Sequence, residues 1–103
     1  MRVPRGILSI RVRFGDCTYT IRWMPAKHMG KDWGRCYPRR GKRGVIEIRQ
    51  SLSEKNMMDT LIHECLHAAN WCADEEFVDA TACSIQKALY AAGWRRTSTK
   101  EKR

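Results

Sequence analysis

The sequence has no hydrophobic run long enough to cross a membrane. No apolar stretch approaches the ~18 residues that a bilayer-spanning helix needs, and the N-terminal apolar segment is interrupted at Ser9, Arg11 and Arg13. These interruptions exclude the hydrophobic core of a secretory signal. We therefore expect a cytoplasmic protein that does not enter a membrane.

Cysteine spacings that predict disulfide frameworks or zinc ribbons are also missing. The chain has five cysteines, an odd number, and no two of them form a CxxC pair. We interpret them as reduced thiols, several of which are buried as small apolar side chains.

Internal repeats, low-complexity tracts and linkers rich in proline, glycine or serine are absent from the sequence. The chain has 103 residues, of which 43% are hydrophobic, and this is enough for one core. We expect a single domain over residues 1–94. A basic flexible tail over residues 95–103 follows, because the ending RRTSTKEKR has no apolar periodicity.

Positive charge is abundant, but it is unevenly distributed. The net charge is +9, yet residues 1–49 hold 13 Lys/Arg against 3 Asp/Glu and residues 50–94 hold 2 against 7. The acidic middle of the chain is where we expect a cation to bind. The basic regions favour an anionic partner, although basic surfaces can serve solubility alone.

A basic segment in the first half indicates nucleic acid as one such partner. Its cations are Arg39, Arg40, Lys42 and Arg43, and nearby aromatic side chains that could stack on bases are Trp23, Trp33 and Tyr37. The alternative for the basic segment is a solvated hairpin tip. The alternative for the tryptophans is packing in the core.

The first half of the chain has the two-residue period of β-strands. Residues 7–14 and 18–23 alternate between apolar and polar side chains around a Gly-Asp turn, which predicts a β-hairpin. Residues 34–37 and 45–49 predict two further short strands, and residues 24–34 have no regular pattern.

The second half changes to a helical period. Ser51 and Glu54, at the spacing of a capping box, predict the start of a helix that ends near Trp71. A second helix is predicted from Asp74 as N-cap to Gly93 as its stop. The fold class is therefore α+β, with a small, mostly antiparallel sheet of three or four strands packed on two C-terminal helices.

The pentapeptide His63-Glu64-Cys65-Leu66-His67 is an HExxH motif on the first of these helices. A spacing of four places both imidazoles on one helix face, about one turn apart, where two ring nitrogens can bind one Zn²⁺. The apolar residues of the helix lie on the other face. We expect that face to pack on the sheet while the histidines point into a cleft.

A catalytic zinc site usually has three protein ligands and one position for water. The candidates for the third ligand are Asp74, Glu75, Glu76, Asp79 and His28. Glu75 shares a helix face with residues that pack inward, whereas Glu76 is rotated about 100° away. We predict Glu75 as the third ligand, with Glu76 as the close alternative.

Glu64 follows the first histidine and would lie beside the metal, where a general base can take a proton from a water molecule. This arrangement predicts the hydrolysis of an amide bond. A further donor is needed to stabilise the oxyanion that forms. His28, Tyr37 and several arginines are the candidates for that donor.

The HECLH helix, followed by a short loop and the sequence DEEFVDATA, resembles the gluzincin class of zinc metallopeptidases. It is most similar to the minigluzincins and to small phage-encoded metallopeptidase-like proteins, and the similarity covers residues 44–94. The resemblance implies a zincin-like fold, a glutamate ligand from the following helix, and a peptide or protein substrate. It also implies that the strand over residues 45–49 lies near the cleft, where an extended peptide could pair with a sheet edge.

A weaker resemblance is to the SprT-like metallopeptidases, which combine HExxH with DNA association but carry a C-terminal zinc ribbon that this sequence lacks. It implies a nucleic-acid-associated zinc protein. A zinc-binding interaction protein without catalytic activity is the remaining alternative.

Overall fold

The computed structural model describes residues 9–96, which form a four-stranded sheet and three helices. In chain order the elements are β1 (Ser9–Phe14), β2 (Cys17–Met24), α1 (Ala26–Met29), β3 (Gly34–Cys36), β4 (Arg43–Arg49), α2 (Glu54–Ala69) and α3 (Glu75–Ala91).

The strands of the sheet lie in the order β1-β2-β4-β3. Two antiparallel pairs, β1–β2 and β3–β4, flank a central parallel pair formed by β2 and β4. The predicted α+β class and mostly antiparallel sheet are confirmed. The parallel pair was not predicted; it forms because the segment containing α1 and β3 carries the chain back to the starting end of β2, as a parallel connection requires.

The core lies between one face of this sheet and α2. Its sheet residues are Tyr19, Ile21 and Trp23 on β2 with Ile46 and Ile48 on β4, all buried as their alternation predicts. Met57 of α2 and Leu52 before it complete the cluster from the helix side. The first strand contributes less, because it lies at the edge: Val12 and Phe14 are half-buried and Ile10 is exposed. Residues 7 and 8 of the predicted hairpin lie outside the described residues.

Helix α2 begins later than the sequence predicts. Its N-cap is Ser53, whose side chain accepts a hydrogen bond from the backbone N–H of Asn56, so the prediction of Ser51 is wrong. The reason is that Leu52 is buried in the core, and the helix begins only after Ser53, whose backbone is extended. The helix ends at Ala69, just before the predicted end.

Helix α3 begins and ends as predicted. The Asp74 carboxylate accepts hydrogen bonds from the N–H groups of Glu76 and Phe77, and Gly93 follows the helix with a φ of 98°. Val78, Ala82 and Gln86 are its buried residues, and the helix packs along α2. The fold therefore has three layers, in the order sheet, α2 and α3. The helix that carries HExxH, α2, is covered by the sheet on one side and by α3 on the other.

The described residues contain no helix that is both long and apolar enough to span a membrane. All five cysteines are free thiols, and Cys17 is the buried one. At the start of the predicted tail, the guanidinium of Arg95 stacks on the Tyr90 ring, and the backbone N–H of Arg96 donates to Glu54. The rest of that segment, residues 97–103, lies outside the described residues.

Candidate metal centre

The two histidines of the motif lie one turn apart on α2, with their side chains mostly buried. Their Nε2 atoms are 3.2 Å apart, and the rings meet edge to face. Both Nε2 atoms therefore converge on the same point beside the helix, as the i, i+4 spacing requires.

Glu75, the first residue of α3, brings a carboxylate to this point. Its Oε1 atom is 3.0 Å from Nε2 of His67, and its Oε2 atom is 3.5 Å from Nε2 of His63. Metal–ligand bonds of ~2.0–2.1 Å in a tetrahedron place the donor atoms about 3.4 Å from one another. His63, His67 and Glu75 thus have the donor types and the spacing that a Zn²⁺ ion needs.

The short connection between α2 and α3 is what places Glu75 there. Asn70 ends α2, and its side-chain oxygen accepts a hydrogen bond from the N–H of Cys72. The N–H of Ala73 then donates to the Asn70 carbonyl, and Asp74 caps α3 at once. Because the chain reverses within these few residues, the first turn of α3 lies against the last turn of α2.

The other candidates for the third ligand have different roles. Asp74 is the N-cap of α3, and Glu76 is exposed and does not belong to the cluster. Asp79 lies 3.2 Å from the Nδ1 atom of His63, the ring nitrogen that faces away from the cluster. His28 lies 3.0 Å from Glu47.

Glu64 is buried, with 7% of its surface exposed, between α2 and the edge strand β3. Burial raises its pKa to about 7; the negative charges of Glu75 and Asp32 add to the rise, and His63 opposes it. A carboxyl group with a pKa near neutrality exchanges protons readily at physiological pH.

Gly34 of β3 allows this close approach of strand and helix. A Cβ atom at this position would lie 2.6 Å from Cγ2 of Thr60 and 3.0 Å from Cγ of Glu64. Thr60, which shares the histidine-bearing face of α2, is buried here as well. This part of that face therefore packs on the strand, whereas the sequence predicted a face that points into a cleft. The role of Gly34 was not predicted from the sequence, where it is simply a glycine at the start of a short strand.

A cleft of about 600 Å³ lies over the three candidate ligands. Its other walls are β3 with the residue that follows it, and the loop between α2 and α3: Gly34, Arg35, Cys36, Tyr37, Glu64, Trp71 and Ala73. The strand at this edge is β3, and β4, the strand expected near the cleft, lies next to it and is paired on both sides. Of the candidate oxyanion donors, Tyr37 and Arg35 line the cleft.

Behind this wall, Glu47 forms a buried polar network that the sequence analysis did not predict. Its Oε1 atom accepts a hydrogen bond from the Tyr37 hydroxyl at 2.7 Å and lies 3.7 Å from the Arg35 guanidinium. Burial raises the pKa of Glu47, but the hydrogen bonds from Tyr37 and His28 outweigh it and leave the pKa below its ordinary value. The sequence feature that could have indicated this network is the single carboxylate of Glu47 within an otherwise apolar strand.

Two cysteines near the site are not candidate ligands. Burial raises the pKa of the Cys36 thiol to about 12 and that of the Cys65 thiol to about 11. Neither thiol belongs to the group of three candidate ligands, and both are half-buried against the core cluster.

Residues 10–80 match the SprT-like family, a segment that includes the sheet except for its first residue, Ser9, together with all of α2 and the candidate ligand on α3. The chain belongs to the SprT-like family. SprT-like proteins form a zincin-like family related to metallopeptidases, which agrees with the HExxH helix beside a sheet edge. The family is the one that the sequence analysis gave as the weaker resemblance. No curated protein and no solved structure matches the chain.

Proposed function

We propose that this SprT-like protein is a zinc-dependent peptidase that hydrolyses amide bonds in extended polypeptide segments. The observation that carries the proposal is the convergence of three donor groups. The Nε2 atoms of His63 and His67 are 3.2 Å apart, and the two carboxylate oxygens of Glu75 lie 3.5 and 3.0 Å from them. A glutamate ligand from the following helix is also what the resemblance to gluzincins implies.

The residues around the cluster favour metal binding by the histidines. Asp79 can accept the Nδ1–H of His63, which leaves the lone pair of Nε2 directed at the cluster. A zinc ion held there would lower the pKa of a water molecule and polarise a substrate carbonyl group.

Glu64 is the proposed general base. It lies beside the ligands without belonging to them, and its carboxylate can take a proton from water and pass it to the leaving amine. Its burial against Gly34 holds the carboxylate in one place. Tyr37 and Arg35 line the same cleft and are the candidate donors to the substrate oxygen; the Tyr37 hydroxyl would have to exchange its hydrogen bond to Glu47 for one to the substrate.

The edge strand β3 supports an extended substrate. Within the part of the chain that the structure describes, it is paired with β4 on one side only, and its residues form a wall of the cleft. A peptide that adds to this edge by backbone hydrogen bonds would run past the candidate ligands. This mode of binding requires no deep side-chain pocket.

The test is the substitution Glu64→Gln, assayed with an unfolded protein mixture as substrate. We expect the variant to keep near-stoichiometric zinc and to lose activity by about 10²–10⁴-fold, the contribution typical of a general base. Glu76→Gln, on the exposed side of the same site, is the matched control and should retain both properties.

Two results would contradict the proposal. Absence of zinc from the wild-type protein would refute the metal site. Zinc binding without any hydrolysis by the wild type would favour the alternative of a zinc-binding interaction protein.

A further inference from the structure

Part of the cleft lining has no role in the proposed reaction. The candidate metal ligands His63, His67 and Glu75 and the proposed general base Glu64 account for four of the lining residues. The others are Gly34, Arg35, Cys36, Tyr37, Trp71 and Ala73. These six residues are what the cleft offers to the side chains of a substrate, so their chemistry indicates which substrates fit.

The polar groups among these six residues hold hydrogen bonds within the protein. Arg35 donates from Nε to Asp32 at 2.7 Å and from Nη2 to a backbone carbonyl at 3.0 Å. The Tyr37 hydroxyl donates to Glu47 at 2.7 Å. Burial raises the pKa of the Cys36 thiol to about 12, so this group is uncharged. The surface that remains for a substrate side chain is therefore mainly apolar.

Trp71 is the largest of the six residues, and 50% of its surface is exposed. It is nevertheless held in an ordered turn directly after α2. The N–H of Ala73 donates to the Asn70 carbonyl, and the Asn70 side chain accepts from the N–H of Cys72. Trp71 is the second residue of this four-residue turn. The fold thus presents an indole ring at the cleft and does not bury it in the core.

The backbone of β3 indicates how an extended peptide would align with this ring. The N–H of Tyr37 and the carbonyl of Trp33 both form hydrogen bonds with β4. In an antiparallel pair, successive residues direct their backbone groups to opposite sides of the strand. Gly34 and Cys36 therefore direct theirs away from β4, and a peptide that adds to this edge would pair with these two residues.

This pairing determines where the side chains of the peptide point. Directly paired residues share one face of a sheet. Gly34 faces α2, because a Cβ atom there would meet Thr60 and Glu64. The peptide residues opposite Gly34 and Cys36 would therefore also point toward the layer of α2. Trp71, which follows α2 and lines the same cleft, belongs to this layer.

We propose that Trp71 is a specificity-determining residue that selects a large apolar side chain, aromatic or aliphatic, next to the bond to be cleaved. This inference rests on the proposed peptidase function. An aromatic ring packs well against large apolar side chains, and the lining has few free polar groups that could replace the hydration of a carboxylate. The substrates would then be the apolar segments that folded proteins bury and that unfolding exposes.

A basic side chain is the strongest competitor for the same position. Cations also stack on indole rings, but at an exposed ring this attraction is weaker than the burial of a large apolar side chain. A lysine peptide is therefore the comparison that the test needs most.

The test uses quenched fluorogenic peptides that differ only in one central residue, which is phenylalanine, leucine, alanine, lysine or aspartate. With the zinc-loaded full chain, we expect kcat/KM for the phenylalanine and leucine peptides to exceed that for the alanine peptide at least ~10-fold. Mass spectrometry of the products should locate the cleavage beside the varied residue.

Variants of Trp71 assign this preference to the indole. Trp71→Ala should reduce the ratio of kcat/KM between the phenylalanine and alanine peptides to about 1–2, and Trp71→Phe should keep most of the ratio. Trp94→Ala is the matched control, because Trp94 is exposed but does not line the cleft, and it should keep the full ratio. Zinc content and circular dichroism of each variant establish that the site is retained.

Peptide binding to the Glu64→Gln variant, followed by fluorescence anisotropy, distinguishes this proposal from the peptidase function. Tighter binding of the phenylalanine peptide that is lost in Glu64→Gln/Trp71→Ala would support the role of Trp71 even if the wild type hydrolysed nothing. Hydrolysis without a preference for large apolar residues, or a preference that survives Trp71→Ala, would overturn this role and leave the peptidase function intact. Preference for lysine, or equal binding of all five peptides, would also overturn it.

Discussion

Asp79 contacts a proposed metal ligand through the ring nitrogen that faces away from the metal position. Its Oδ1 atom lies 3.2 Å from Nδ1 of His63, and it comes from α3, one turn after Glu75. A carboxylate in this position fixes the tautomer and the orientation of the histidine and makes the other ring nitrogen more basic. We therefore assign Asp79 a positioning role.

Substitution Asp79→Asn should weaken zinc binding by about 10–100-fold, because the amide is a poorer acceptor and carries no charge. The dissociation constant for zinc, measured by competition with a chromogenic chelator, checks this expectation. Glu76→Gln removes a neighbouring carboxylate outside the cluster and serves as the control. An unchanged dissociation constant in Asp79→Asn would contradict the role.

The residues of the candidate site could be predicted from the sequence where their spacing along a helix determines which face they occupy. The i, i+4 interval places His63 and His67 on one face, and the inward face of α3 indicated Glu75 over Glu76. The role of Asp79 was not predictable at this scale. It depends on how α3 crosses α2, and the sequence gives no angle between the helices.

At the scale of elements, the approach of β3 to α2 determines the position of Glu64. The strand touches the helix at Thr60 and Glu64, and only the missing side chain of Gly34 leaves room for both. An edge strand of three residues thus forms the wall behind Glu64, the proposed general base.

Substitution Gly34→Ala should lower the free energy of unfolding by about 1–3 kcal/mol, as overpacking does, and displace Glu64 enough to reduce peptidase activity. Denaturant unfolding and the hydrolysis rate measure the two effects. Adding Thr60→Ser removes the Cγ2 methyl group, the nearest clash. This second change should restore stability more than activity, because the clash with Glu64 persists.

The elements themselves were largely predictable, and their pairing was not. Alternation revealed β2 and β4, and the apolar period revealed α2 and α3. Which strand lies at the edge depends on pairing between distant segments, so the sequence indicated a strand near the cleft, β4, but not that β3 lies outside it. The N-cap of α2 was misplaced because Leu52, a core residue, precedes it.

At the scale of the whole molecule, the proposed metal would join two layers of the fold. His63 and His67 come from α2 and Glu75 comes from α3, which packs on α2. A ligand that binds only the folded state stabilises it, by about 2.7 kcal/mol at 100 times its dissociation constant. For a domain of this size, this corresponds to a rise in Tm of about 10–20 °C.

Removal of zinc by a chelator should therefore lower the Tm of the wild-type protein by an amount of this order. Thermal unfolding followed by circular dichroism, with and without chelator, measures the shift. In Glu75→Gln the shift should be much smaller, whereas Glu76→Gln should behave like the wild type. A Tm that does not respond to the chelator would contradict a metal that bridges α2 and α3.

The position of β1 has a further consequence for the state of the protein in solution. It is the outermost strand among residues 9–96, and none of these residues pairs with its outer side; open edges are templates on which other chains can add and aggregate. Its alternating apolar residues Ile10, Val12 and Phe14 favour such growth, and Arg11 and Arg13 oppose it by repulsion between copies. These two arginines therefore protect solubility. Neutral residues in their place should make the protein more prone to aggregate, whether or not the arginines bind a ligand.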